Sequence, residues 1–399
     1  MSGRVFAQGG NADESPAGAG VAAGLYAEDP VDQTQKNKIR DIGPTLNSGK
    51  FDPNQPQQKE DFDNYYKTYA LPRWTQLSTL NSLRVYHQEL FSNLSRAKSG
   101  EVHDYLNKLV LDYMGKIAKS DKYHPAVRIN AMLTIGDLNS VDSIQAAQNI
   151  PLADAMPVLL ETVNNDKLIV PVRIAALVGI NRHVTMGVTD PQIQQIFSAM
   201  LKLVSGADAT NFSDLGLVWM RKQAVDILGL LGNLGTNNQV PKLLSAYAGD
   251  AKAPFFLRLS AAEALGKLKY EGASGLDAVA LAKSLGQLML DACDAEFKAK
   301  GSAADRQRRL KARLASAMFG LSGDGTTFNG RTFKGITPLA KDPAQLNNLK
   351  AIFGDLLKTL DNKDISKLND DEKQKFNEDL KKAVEDCQSK LKDWLEKQP

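Results

Sequence analysis

The sequence predicts an all-α protein built as a stack of two-helix units, and three observations predict it. A short pattern of acid, arginine, alanine and glycine recurs four times between residues 121 and 270. Its arginines stand 45, 48 and 37 residues apart, a period that suits two antiparallel helices per unit. Aromatic residues make up only 7% of the chain while small ones are frequent, as close helix packing requires.

In three copies the acid precedes the arginine by seven positions: Asp121 and Arg128, Asp166 and Arg173, Asp214 and Arg221. In the fourth, Asp250 and Arg258, the gap is eight. An alanine follows each arginine by three positions, at Ala131, Ala176, Ala224 and Ala261. A glycine follows by eight at Gly136, Gly229 and Gly266, whereas the second copy has Asn181 there and Gly179 two residues earlier. The arginine falls in the first turns of the second helix and the acid in the loop or N-cap before it. A carboxylate there can accept backbone N–H groups at the helix start. It can also meet the guanidinium of its own or a neighbouring unit as a two-pronged ion pair. The alanines let the second helices pack closely, and the glycine suits a helix end. A single unit cannot bury its apolar face alone and must stack on others. Because these eight charged residues belong to the pattern that defines the fold, they read as a structural ladder and not as a site.

This grammar resembles the HEAT-repeat family, especially its short bacterial type, over roughly residues 100–270 and at most to 322. The resemblance implies an armadillo-like α-solenoid and points towards exported bacterial HEAT-repeat proteins. It is specific for the fold and unspecific for function.

Residues 1–58 are rich in Gly, Ala, Asn, Asp and Gln and are expected to form a flexible arm. Within it Val5-Phe6-Ala7 before Gln8 fits a signal-peptidase site, so residues 1–7 are a candidate signal remnant, although no charged or apolar region precedes it. The expected location is therefore exported, periplasmic or extracellular, with the cytoplasm as the alternative. Residues 59–100 form a helical N-terminal cap in which Phe62, Tyr65, Tyr66 and Tyr69 share one helix face. That stripe is either a lid over the first repeat or, less favoured, a stacking platform. Residues 101–322 hold four clear repeats and a degenerate fifth, with a long internal loop over 205–213. Thr326-Thr327-Phe328, Asn329-Gly330 and Arg331-Thr332-Phe333 predict a small β-hairpin with a type I′ turn, within a 323–345 linker. Residues 346–399 form a C-terminal helical cap, with helices starting near Pro343 and Asp370.

A net charge of +3 is too near neutral for a general polyanion binder. There is no run of 18 apolar residues, hence no expected membrane span. His87, His103, His124 and His183 have no partner at ligand spacing, and no zinc, haem, phosphate-loop or calcium pattern survives inspection. No cofactor, no metal and no catalytic residue is expected. Cys293 and Cys387 each lie on an apolar stripe; buried free thiols are the favoured reading, and a disulfide is the alternative if the chain is exported. Arg306, Arg309 and Arg313 share a helix face, either as a solvated ladder face or as a docking patch for an acidic partner. On the concave surface expected from the second helices, the polar positions outside the ladder, Asn130, Lys222, Gln223 and Glu263, are the candidate partner-binding residues.

The function read from these features is a non-enzymatic scaffold that binds an unidentified protein partner through the solenoid surface. The alternatives are a structural subunit of a larger exported assembly and, with less support, a nucleic-acid-processing HEAT-like enzyme, which would need a basic groove.

Overall fold

The computed structural model describes residues 25–398 apart from 99, 143–148, 207, 300, 343, 362–364, 366 and 367, and leaves out the side chains of 297 and 345. Within those residues the protein is all-α, with two small two-stranded sheets. The matched signal-peptide positions and the first 24 residues of the expected arm lie outside the description.

The rest of the expected arm is ordered structure. Residues Gln33–Lys38 form a 3-10 turn that leads into α1 (Ile39–Ser48). Ile42 and Leu46, four apart, are buried, and Gly49 closes the helix in the left-handed conformation. Gly43 and Pro44 disguised this short apolar stripe in the sequence. Just upstream, Asp29 accepts the hydroxyls of Tyr113 (2.5 Å) and Tyr123 (2.7 Å), and Ala27 N–H donates to the Lys122 carbonyl. The segment is thereby strapped across the first repeat.

The cap continues through α2 (Gln57–Tyr65), a π-turn over Tyr66–Ala70, two 3-10 turns and α3 (Leu83–Arg96). Phe62, Tyr65, Tyr66 and Tyr69 are buried, so the aromatic stripe is core and not a platform open to ligands.

Five helix pairs follow. They are α4 (Glu101–Lys119) with α5 (Pro125–Asp137), and α6 (Ala155–Asn164) with α7 (Val170–Met186). Next come α8 (Asp190–Ser205) with α9 (Leu215–Leu231), and α10 (Gln239–Gly249) with α11 (Phe255–Lys267). The last is α12 (Ala278–Lys298) with α13 (Ala303–Ser322). Second helices pack in sequence, α5 on α7, α9, α11 and α13, and first helices form a parallel row from α4 to α12. Lys119 of α4 meets Glu161 of α6 at 2.6 Å, and Ser245 of α10 meets Ser284 of α12 at 2.9 Å.

The recurring arginine has a role different from the expected ion pair. Each guanidinium donates to the carbonyl ten residues before it: Arg128 to Ala118 (3.2 Å), Arg173 to Val163 (2.9 Å), Arg221 to Asn211 (2.5 Å) and Arg258 to Ala248 (2.9 Å). Ala118, Val163 and Ala248 sit in the last turns of α4, α6 and α10, where carbonyls lack intrahelical partners and the helix dipole is negative. The arginine therefore ties the end of one helix to the start of the next. The acids serve otherwise. Asp214 caps α9 by accepting from Gly216 and Leu217, and Asp121 and Asp166 act on Arg128 and Arg173 only through charge. Arg258 pairs instead with Asp291 of the following unit, at 2.6 Å.

The recurring glycine lies in the last turn of its helix, as expected, at Gly136, Gly229 and Gly266, and there it is also a contact point. A Cβ on Gly136 would lie 2.6 Å from Gly179 Cα, and one on Gly229 would lie 2.9 Å from Ala264 Cα. The displaced glycine of the second copy, Gly179, is thus the mate of Gly136, and the two backbones meet where α5 crosses α7.

One sheet was not foreseen: β1 (Asn139–Val141) pairs antiparallel with β2 (Ile150–Pro151) between α5 and α6. The hairpin was. β3 (Thr327–Phe328) pairs with β4 (Arg331–Thr332), and Asn329 and Gly330 both take positive φ, as a type I′ turn demands. The chain ends with α14 (Ala344–Asp361) and α15 (Asp370–Glu396), the latter opened by a capping box of Asn369 and Glu372. One continuous core runs from Ile42 to Trp394. No described helix is long and apolar enough to cross a membrane.

Candidate functional site

The row of second helices buries its inner side on the first helices and leaves its outer side partly open. On α9 the residues Leu215, Trp219, Lys222, Gln223 and Asp226 follow helical spacing along that outer side. Leu215 is 61% exposed and Trp219 is 44% exposed, so two large apolar side chains one turn apart face outward together on α9. Trp219 does not swing freely: it stacks on Phe256 of α11 at 4.9 Å and 17°. Lys222 stands 5.9 Å from the indole centre and pairs with Asp226 at 2.6 Å. On α7, Val178 is also exposed. Contacts between neighbours join these faces: Arg182 of α7 donates to the Gly136 carbonyl of α5, and Ser316 of α13 donates to Glu263 of α11 at 2.7 Å. The result is a strip along the second helices with an aromatic centre and charged flanks.

The polar positions expected on this face are mostly engaged. Asn130 donates to the Ala126 carbonyl of its own helix, Lys222 holds Asp226, and Glu263 holds Ser316 and approaches Lys267 at 4.0 Å. Gln223 is half-buried beside Lys222. The aromatic pair that gives the face its character, Trp219 and Phe256, was not selected from sequence. The signal available was a large apolar residue at the outward position of a helix whose inner face already had its apolar complement.

Comparison with protein-family models, with curated proteins and with solved structures finds no match. The chemistry must therefore be read from the side chains.

A second polar constellation lies where α4, α5, α7 and β1 converge. Buried His103 contacts Asp142 through Nε2 at 3.3 Å and Asn107 through Nδ1 at 3.2 Å. Asn139 donates to Asp142 at 2.6 Å and accepts from Arg182 at 2.5 Å. Burial alone would raise the Asp142 pKa, but bonds from His103 and Asn139 and the charge of Arg182 outweigh it and hold the carboxyl below its usual range. His87 reaches Asp137 at 3.2 Å on the same side. Each of these acids is tied down by amide or guanidinium donors, so the constellation braces the β1 insertion. No group of three metal-ligating side chains occurs among the described residues.

Of the three arginines expected to share a face of α13, two are drawn onto one acid of α12. Arg309 forks onto Glu296 (2.8–3.1 Å), and Arg313 meets the same carboxylate at 2.8 Å while lying over the Phe255 ring at 4.0 Å. Glu296 is 3% exposed, so its charge draws both guanidinium groups inward. Arg306, one turn earlier, does not join them.

Cys293 of α12 and Cys387 of α15 are free and buried. Their mutual contact, together with burial, pushes the Cys293 thiol up.

Proposed function

We propose that this chain is a HEAT-type α-solenoid that acts as a non-enzymatic scaffold, gripping a protein partner along the outer face of its second helices. Support for the solenoid reading comes from two helix rows and from an arginine that repeats the same carbonyl bond in four consecutive units. The observation that carries the binding reading is Trp219, held by Phe256 in one orientation yet nearly half exposed. A pre-ordered aromatic ring loses little conformational freedom on binding, and Trp is among the residues most enriched at binding hot spots. Leu215 extends the apolar centre, and the Lys222–Asp226 pair supplies a charged rim. The exported location remains part of this proposal.

The test is a comparative capture from native extract with wild-type protein, Trp219→Ala and Leu215→Glu. An identified partner should lose about ten-fold or more in affinity for Trp219→Ala, the size expected of a hot spot. Circular dichroism must stay native, since neither side chain is core. A partner set unchanged by both substitutions would exclude this face.

A further inference from the structure

Between α13 and α15 lies a half-open cavity of about 430 Å³, within the range that holds small organic molecules. Its apolar wall is Leu310, Leu380 and Val384, and its polar wall is Arg306, Gln374, Asn377 and Lys381. Buried Arg306 Nε has no hydrogen-bond partner among the described residues, a costly state for a guanidinium N–H. Two carboxylates also line the space. Glu296 is already matched by Arg309 and Arg313, and Glu378 accepts weakly from Gln374 at 3.4 Å. Among the described residues, the Lys381 ammonium has one carboxylate within ion-pair reach, Glu385 at 4.0 Å, the limit of such a pair.

Setting aside the Glu296 cluster, the lining carries two cations, Arg306 and Lys381, against one anion, Glu378. A single negative charge balances it, and a polyanion would be repelled by Glu378. From this we infer that the cavity binds a small amphiphilic monocarboxylate, its head group between Arg306 and Lys381 and its chain against Leu310, Leu380 and Val384. This site is independent of the exposed strip on the second helices.

The test is calorimetric titration of the full chain with sodium octanoate, using octan-1-ol as the uncharged probe of equal length. Octanoate should bind with saturable heat and octan-1-ol should not. Arg306→Met, which keeps the apolar stem, should weaken octanoate about ten-fold, as loss of a charge-assisted bond implies. Lys381→Met tests the same head-group site from an exposed position where folding is not at stake, and should weaken binding several-fold. No binding by the wild-type chain would overturn the inference. So would equal binding of the alcohol, or undiminished octanoate affinity in both variants.

Discussion

His183 sits on α7 at 2% exposure, and its environment opposes a positive charge. Burial is the largest cause, the neighbouring Arg182 guanidinium adds to it, and the Gly136 carbonyl and Asp137 only partly compensate; the imidazole pKa falls to about 4. The unfolded chain takes up a proton near pH 6.5 whereas the folded chain refuses it until about pH 4. Between those values the unfolded state binds more protons, so stability declines as pH falls through that window. Chemical denaturation at pH 7 and pH 5 should show a loss of up to about 2 kcal/mol from this residue. His183→Leu should lack that component. Equal pH slopes in the two proteins would mean that His183 is protonated in the fold. Arg258 illustrates the opposite device at the same scale: at 1% exposure its charge is accepted because the Ala248 carbonyl and Asp291 both meet it.

At the scale of elements, the β3–β4 hairpin is anchored at its turn by Arg331 and at its base by Phe333. Arg331 donates to the carbonyls of Gly229 (3.2 Å) and Leu230 (2.9 Å), which lie in the last turn of α9 and have no helical partner. Phe333 is buried beside Phe319 at 5.8 Å. Arg331→Ala should free the turn while Phe333 keeps the base in place. Hydrogen exchange should accelerate over residues 323–335, with a global cost of about 1–2 kcal/mol. Unchanged exchange there would show that the aromatic contact alone seats the hairpin. The turn itself was legible locally, because Asn-Gly between alternating segments specifies its own geometry. Its docking on α9, a hundred residues away, was not. The same holds for α1, whose two buried apolar residues are too few to stand out around Gly43 and Pro44.

Across the whole molecule, both ends of the helix stack are closed. The aromatic cap covers the first unit, and α15 covers α12, where Trp394 packs 3.3 Å from the position a Gly286 side chain would occupy and Gln388 bonds Asp294. A stack whose units share one core depends on such ends. Deleting residues 370–399 uncovers the apolar face of α12, including Cys293. The truncated chain should melt on the order of 5–10 °C lower and bind a hydrophobic dye. A shortened protein with the original melting midpoint would show that α15 is an appendage and not part of the core.

The pattern of residues settled whatever depends on near neighbours along the chain. It specified the two-helix period, the hairpin turn, the start of α15 and the inward spacing of the aromatic cap. Three-dimensional packing alone decided the partnerships: Gly136 with Gly179, Glu296 between Arg309 and Arg313, each ladder arginine on a carbonyl, Trp219 on Phe256. The physical reason is that spacing reports which face a side chain takes on its own helix. A charged or aromatic group is satisfied by whatever group the fold brings within about 3–5 Å of it, at any distance along the chain.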